Sequence, residues 1–266
     1  MSARSKDKLA ALTRRQALGG LMGLGAALAL PTTAAWAIGP TNKLTIPMLA
    51  IGQSWDQRPN GLRKMLQEVE KRTSIAVAPQ KASVDLSDKR ALFDYPMIFW
   101  TGQGNFAPLS QTQLDNLALY LSAGGLLIVD SAEATLGGAF EKAVKRELAR
   151  AMPAKRFVEV PRSHVLYKSF YLIPEPVGRV AVSSRMEAIF GEDRAMVLLG
   201  VNDMLGAWSR DNLGQYEFDV FPGGQRQREM SYRLGINIVM YSMCLNYKED
   251  QVHVPFILRR RKWKVD

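Results

Sequence analysis

The sequence predicts an α/β fold, a three-layer sandwich with helices on both sides of a mostly parallel central sheet. Short apolar runs alternate with amphipathic helical stretches, which is the element order of an α/β domain. The runs at 97–101 and 126–129 are apolar at nearly every position, as in parallel strands buried on both faces. The composition, 47% hydrophobic and 23% charged among 266 residues, is that of a globular protein. We therefore expect a single domain over residues 43–263.

The first elements of this domain are two strands with a helix between them. Residues 44–51 read as a strand in which Pro47 indicates an edge position or an early break. Residues 60–72 have the apolar spacing of an amphipathic helix. Asn60 is a suitable N-cap for that helix. A short strand at 75–78 follows.

The strongest local signal is a helix that starts after Ser110. Gln113 lies three residues later, which is a capping-box pattern, and Gly124–Gly125 offers the glycine that commonly ends a helix. The remaining elements are a strand at 126–129, a helix at 139–151, candidate strands at 157–160 and 180–182, a strand at 195–199 and a largely buried helix at 229–246. Ligands of such sheets bind at the carboxyl ends of the strands, so the segments that follow strands supply the candidate site.

The N-terminal residues have the pattern of an export signal. Basic residues come first, Arg14–Arg15 precede an uncharged stretch at 17–30, and Ala35–Trp36–Ala37 is a small-residue cleavage pattern. The paired arginines are typical of a twin-arginine signal peptide, which predicts passage through the Tat translocase, cleavage after Ala37 and a periplasmic location. The alternative is an N-terminal membrane anchor that is never removed.

Charge and cysteine content exclude several classes of protein. The formal charge is +10, but residues 1–37 contain five basic residues and one aspartate, so much of the basicity belongs to the signal. This argues against nucleic-acid binding, which needs basic residues on a binding face. A single cysteine, Cys244, excludes an intrachain disulfide framework, and two histidines argue against a His-rich metal site. No cofactor and no metal are expected.

Three segments that follow predicted strands contain candidate site residues. Gly102, Gln103, Gly104 and Asn105 form a loop whose backbone N–H groups would bind an anion, or a plain tight turn. Asp130 and Ser131 suit a general base and a nucleophile, or the cap of the next helix. Asn202 and Asp203 suit a polar ligand such as a sugar, or an Asx turn.

Two further candidates lie outside these segments. His164 is one of two imidazoles and would assist catalysis, or it is a neutral loop histidine. Arg233 and Asn237 share a face of the long helix. A buried arginine needs a partner, and Asp130 or Asp203 is expected to supply it. The basic tail at 259–266, with Arg259, Arg260, Arg261 and Lys262, would contact an anionic membrane surface or remain solvated.

An ordered series of segments carries a family resemblance over residues 43–263. The segments are YPMIFWTGQGNFAPLSQTQLDNLALYLSAGGLLIVDSAE, SHVLYKSFY, VNDMLGAWS, YRLGINIVMY and HVPFILRRRKW. Together they resemble the domain-of-unknown-function family numbered 4159. The resemblance implies a flavodoxin-like fold similar to class I glutamine amidotransferases and ThuA-like proteins.

The amidotransferases that this fold resembles use a cysteine after a central strand. Here Val129–Asp130–Ser131–Ala132 stands at that place, and neither histidine belongs to a His-x-Glu dyad. Amidotransferase activity is therefore not expected. The first hypothesis is an exported, non-catalytic domain that binds a polar ligand or a protein partner. The alternatives are a periplasmic hydrolase of a carbohydrate-like substrate, with Asp130 or Asp203 as base, and a scaffold of a membrane-associated complex.

Overall fold

The computed structural model describes residues 43–52, 55–78, 80–192 and 194–260, with side chains up to residue 243. The predicted signal peptide, Arg261 and Lys262 lie outside the described residues, as do the side chains of Cys244, Arg259 and Arg260. The strands are β1 (Met48–Leu49), β2 (Ser83–Val84), β3 (Met97–Gly102), β4 (Leu126–Ser131), β5 (Val158–Glu159), β6 (Glu187–Phe190) and β7 (Ala195–Gly200). The helices are α1 (Gly61–Arg72), α2 (Lys89–Leu92), α3 (Gln111–Ser122), α4 (Ala139–Ala151), α5 (Met204–Trp208) and α6 (Gly224–Arg260), with a 3₁₀ helix at Val165–Tyr167.

The described strands form a seven-stranded sheet in the order β2-β1-β3-β4-β7-β6-β5. The first five are parallel, whereas β6 and β5 add an antiparallel edge. Gly102 pairs with Ser131, and Asp130 pairs with Gly200, so β3, β4 and β7 end at one edge of the sheet. The predicted α/β class with a mostly parallel sheet is confirmed, and so is the shared carboxyl edge.

The sheet separates two hydrophobic cores, as a three-layer arrangement requires. On one face α1, α5 and α6 pack through Leu62, Leu205 and Leu234. On the other face α3 and α4 pack through residues such as Leu117 and Val144. Because side chains alternate along a strand, successive residues at a strand end point into different cores.

Several elements of the structure agree with the local sequence signals that predicted them. Helix α1 starts at Gly61 after Asn60, although the Asn60 side chain makes no capping bond. Both bonds of the capping box at Ser110 are present. Gly124 follows α3 with a φ of +118°, a conformation that glycine adopts without strain. Helix α4 has the predicted bounds.

Other elements differ from the prediction. Leu44 makes only an isolated bridge to Val77, and the first strand is reduced to β1, because Pro47 has no N–H for the ladder. That strand lies between β2 and β3 and is therefore not an edge strand. Val180 likewise forms only a bridge. Helix α6 is longer than predicted at both ends. None of the described helices is both long and apolar enough to cross a membrane.

Candidate functional site

The candidate site lies at the switch point of the sheet, between β1 and β3, where successive connections run to opposite sides of the sheet. From β1 the chain continues to β2 on one side, and from β3 it continues to β4 on the other. The loops after β1 and β3 therefore diverge, and in parallel α/β sheets ligands bind at such a switch point. The predicted loop Gly102–Asn105 follows β3 at this position. The structure thus places it beside the loop that leads to α1.

The loop after β3 is fixed by structural contacts. The Gly104 N–H donates to Glu133 Oε1 at 2.8 Å, so the expected free backbone donor is already bound. At Gly102 a Cβ atom would lie 2.6 Å from the Phe140 ring, which explains the glycine. The Asn105 carboxamide oxygen accepts from the Phe106 N–H. Gln103 is exposed and is the loop side chain that remains available to a ligand.

Aromatic rings fill the α3–α4 side of this edge. The ring centroids of Trp100 and Phe106 are 5.2 Å apart, and those of Phe106 and Phe140 are 6.0 Å apart. This packing leaves little room for a polar ligand on that side. The carboxylates of Asp130 and Asp203 lie on the other side, beside α5.

Asp130 is fully buried on the α5 side and caps that helix. Its two carboxylate oxygens accept from the N–H groups of Met204 and Leu205, at 2.9 and 2.8 Å. The first turn of a helix has unsatisfied N–H groups and a partial positive charge, which a carboxylate stabilises. The alternative of a capping role is thus correct for Asp130, but the capped helix is α5 and not the one that follows β4.

Asp203 is the N-cap of α5 and has an unusual backbone. Its φ of +54° lies in the left-handed region, which is rare for residues other than glycine. Its carboxylate accepts from the Gly206 N–H at 3.0 Å. A Cβ atom on Gly206 would lie 2.4 Å from that carboxylate, so this turn of helix requires glycine.

Two arginines that the sequence analysis did not select converge on Asp203. Arg58, from the loop after β1, donates to Asp203 from Nε and Nη2, the closer contact being 2.8 Å. Arg179 forms a second ion pair with the same carboxylate. We call Arg58, Arg179, Asp130 and Asp203 the Arg58 cluster. Arg58 also lies 4.2 Å above the Phe218 ring, and 11% of its side chain is exposed.

The surroundings of Asp130 in the Arg58 cluster shift its pKa. Burial, and secondarily the charge of Asp203, raise the pKa of Asp130 to about 8, against the opposing influence of the two backbone N–H bonds and Arg58. At neutral pH a proton on Asp130 limits the repulsion between two buried carboxylates.

Ser131 is buried and points to the opposite face of the sheet from Asp130. Its hydroxyl has no hydrogen-bond partner among the described residues. A serine becomes a nucleophile when a base lies within hydrogen-bond reach. The structure does not place such a base beside Ser131.

His164 is not part of the candidate site. Its Nδ1 accepts from the Leu166 N–H at 3.2 Å, which caps the 3₁₀ helix. Its ring packs 5.5 Å from Phe190, which pairs with Ala195 at the amino end of β7. Burial, with a smaller contribution from the charge of Lys168, lowers its pKa. His164 therefore lies at the opposite edge from Asp130 and Asp203, and the expected hydrolytic grouping of these residues is not formed.

Arg233 and Asn237 are not part of the site either. Arg233 pairs with Glu229 on its own helix at 2.9 Å, so the expected pairing with Asp130 or Asp203 is wrong. The Asn237 side chain bonds to the backbone N–H and C=O of Tyr171. Its partners belong to the segment after the 3₁₀ helix, which explains the amide on an otherwise apolar helix.

Asn202 joins the carboxyl edge to a neighbouring segment. Its carboxamide oxygen accepts from the N–H groups of Val182 and Ser183, and its nitrogen donates to backbone carbonyls. The oxygen and the nitrogen of the Asn202 side chain are thus both hydrogen-bonded within the protein. Within the part of the chain that the structure describes, no three His, Cys, Asp or Glu side chains group as metal ligands.

Comparison with known protein families gives a match over most of the chain. A family model described as "Domain of unknown function (DUF4159)" matches residues 45–243. A search of curated proteins found no match. The resemblance to this family is thereby confirmed over residues 45–243.

Proposed function

Because the chain belongs to the DUF4159 family, whose description assigns no reaction, we propose its function from the geometry. The domain is a non-catalytic binding domain that holds a polar ligand or a protein partner at the switch point, between the loops after β1 and β3. Its fold class is similar to that of class I glutamine amidotransferases. The sheet order β2-β1-β3-β4-β7 supports this class, because it is the flavodoxin-like order.

One observation carries the proposal of a binding role. Both carboxylates at the edge are committed to the structure, Asp130 as the cap of α5 and Asp203 as the partner of two arginines. Acid–base catalysis needs a titratable group within reach of the reacting atoms. Among the described residues, these two aspartates have no imidazole beside them. Asp130 and Ser131 stand where an amidotransferase has its cysteine, so amidotransferase activity is not expected.

A thermal-shift screen of the purified protein tests this proposal. The panel contains sugars, amino acids and nucleotides, each also assayed for turnover. A ligand at a hundred times its dissociation constant stabilises the folded state by about 2.7 kcal/mol. For a domain of this size that raises the Tm by roughly 5–10 °C. We expect such a shift without turnover, and we expect Gln103→Ala to reduce it.

The matched control is Ser122→Ala, which removes an exposed polar group at the end of α3, on the opposite edge. It should keep the full shift. A shift that Gln103→Ala leaves unchanged would place the ligand elsewhere. Turnover of any panel compound that Asp130→Asn abolishes would contradict the non-catalytic role and favour the hydrolase.

We also propose that the protein is exported through the Tat translocase and resides in the periplasm. Arg14–Arg15 and the uncharged stretch after them support this location. Replacing both arginines by lysine should trap the protein in the cytoplasm, while Arg4→Lys should not. Undiminished periplasmic protein in the double variant would contradict the twin-arginine signal. Persistent membrane fractionation of the uncleaved chain would instead support an N-terminal anchor.

A peripheral membrane contact through the basic tail is a second proposal. Helix α6 carries the chain to Arg260, and Arg259, Arg260, Arg261 and Lys262 follow one another at its end. Basic clusters bind anionic lipid surfaces, at about 1 kcal/mol per residue. Deleting residues 259–264 should abolish co-sedimentation with phosphatidylglycerol vesicles. Co-sedimentation equal to that of the intact protein would rule out the tail as the contact.

A further inference from the structure

A pocket that opens to solvent lies beside Arg58, next to the first turn of α1. It lies between the first turn of α1 and the segment ahead of β2, and its volume is about 330 Å³ including the part open to solvent. Its lining residues are Ile46, Met48, Asp56, Arg58, Pro59, Leu62, Arg63, Leu66, Gln80, Lys81 and Ala82. The apolar members Ile46, Met48, Leu62 and Leu66 belong to the core between the sheet and α1.

The pocket has an excess of positive charge. Arg58, Arg63 and Lys81 line it, and Asp56 is the single carboxylate among its lining residues, which leaves a net charge of +2. Asp56 pairs with Lys81. Arg58 shares its partner Asp203 with Arg179, so two guanidinium groups face one carboxylate. These ion pairs therefore leave part of the local positive charge uncompensated.

Arg63 is the most available cation of the pocket. Its guanidinium is partly buried, and its hydrogen bonds go to the side-chain oxygens of Asn60 and Asn212, at 2.8 and 3.4 Å. Among the described residues it forms no ion pair within 4 Å. An amide oxygen has no net charge, so a ligand anion would bind the guanidinium more strongly than these partners do.

We propose that this pocket binds the phosphate group of a small ligand. Arg63 and Lys81 supply the charged donors for the phosphate, while Arg58 stays paired with Asp203. Guanidinium groups bind phosphate oxygens in pairs, with a geometry that an ammonium group does not supply. The first turn of α1 contains no acidic residue, so it adds no repulsion. Gln103 does not line this pocket, so the phosphate site is additional to the ligand site proposed between the loops after β1 and β3.

Binding of inorganic phosphate to the full-length protein tests the inference. The Tm is measured in phosphate and in potassium chloride of equal ionic strength, and the affinity is measured by calorimetry. We expect phosphate to raise the Tm above the chloride value. Arg63→Gln and Lys81→Gln should each weaken binding about tenfold or more, because each removes a charged hydrogen-bond donor. Lys71→Gln removes the same charge two turns along α1 and should leave the affinity unchanged.

Two further probes separate the possible sources of the phosphate group. Glucose 6-phosphate represents a soluble ester, and phosphatidylglycerol vesicles represent a lipid headgroup. We expect Arg63→Gln to weaken the binding of the soluble ester. If it weakens vesicle binding alone, the pocket binds a lipid phosphate. A phosphate effect no larger than that of chloride, or equal in Arg63→Gln and the unaltered protein, overturns the inference. The switch-point proposal would stand in that case, because it is tested through Gln103.

Discussion

Gly206 shows how a single residue can reverse an intrinsic preference. Within a helix, alanine is normally more stable than glycine by about 1 kcal/mol. At position 206 an added Cβ would lie 2.4–2.6 Å from the carboxylate atoms of Asp203, which two arginines hold in place. The carboxylate cannot move aside without loosening these ion pairs. Because of this close contact, replacing Gly206 by alanine should lower the stability of the protein instead of raising it.

We predict that Gly206→Ala lowers the free energy of unfolding by about 1–3 kcal/mol, the usual cost of overpacking. Urea denaturation followed by circular dichroism measures the change. Gly191→Ala is the control, because a Cβ there would meet its nearest neighbours at an ordinary 3.4 Å. Stability that is equal or higher in Gly206→Ala would show that Asp203 is not held as described.

The sequence did not single out Arg58, because no pattern in the neighbouring residues indicates its role. It belongs to a polar loop without periodicity, and its partner Asp203 is 145 residues away along the chain. The sequence did indicate that a buried arginine would pair with Asp130 or Asp203. It could not indicate which arginine does so, and the helical spacing of Arg233 favoured the wrong one. The strand order does not show this contact either, because β3 and β4 lie between β1 and β7, and the ion pair itself shows that the loop after β1 reaches Asp203.

Elements whose signals lie within one stretch of sequence were predictable. The helix after Ser110 has a cap, an apolar face and a terminal glycine within about fifteen residues, and all three were found in the structure. Strand β2 and helix α5 have two and five residues, too few for a period to appear. Helix α5 exists because Asp130 and Asp203 bind its first N–H groups, and these contacts depend on the tertiary structure.

The capping box of α3 gives a prediction at the scale of this element. The Ser110 hydroxyl accepts from the Gln113 N–H, and the Gln113 side chain accepts from the Ser110 N–H at 3.0 Å. Ser110→Ala should lower the free energy of unfolding by about 1 kcal/mol, since one helix N–H loses its partner. Ser122→Ala, at the other end of the helix, should change it by less than about 0.5 kcal/mol. Equal effects of the two variants in chemical denaturation would contradict a stabilising role of the cap.

At the scale of the whole molecule, the buried Asp130 and the half-buried His164, at opposite edges of the sheet, make stability depend on pH. His164 has a lowered pKa, so the unfolded chain binds its proton more readily, and stability falls as the pH drops below about 6.5. Asp130 has the opposite effect. Its raised pKa means that the folded protein holds a proton that the unfolded chain has already released. The two groups therefore act in opposite directions below about pH 6.5, and above that pH the Asp130 contribution alone continues to change.

The last prediction follows from the sign of the Asp130 shift. The stability associated with its protonated form is fully present below the unfolded pKa of about 4 and is lost as the pH rises towards about 8. The charged groups around it are Asp203, Arg58 and, through Asp203, Arg179. Asp130→Asn should make the free energy of unfolding less dependent on pH between about 6.5 and 8, where the His164 contribution no longer changes, although it loses one bond to α5. Urea denaturation at several pH values measures this dependence.

Asp94→Asn, at an exposed position, should keep the dependence of the unaltered protein. If Asp130→Asn and Asp94→Asn give the same slope, then Asp130 is ionised throughout this range, and α5 is capped by a charged carboxylate at every pH measured.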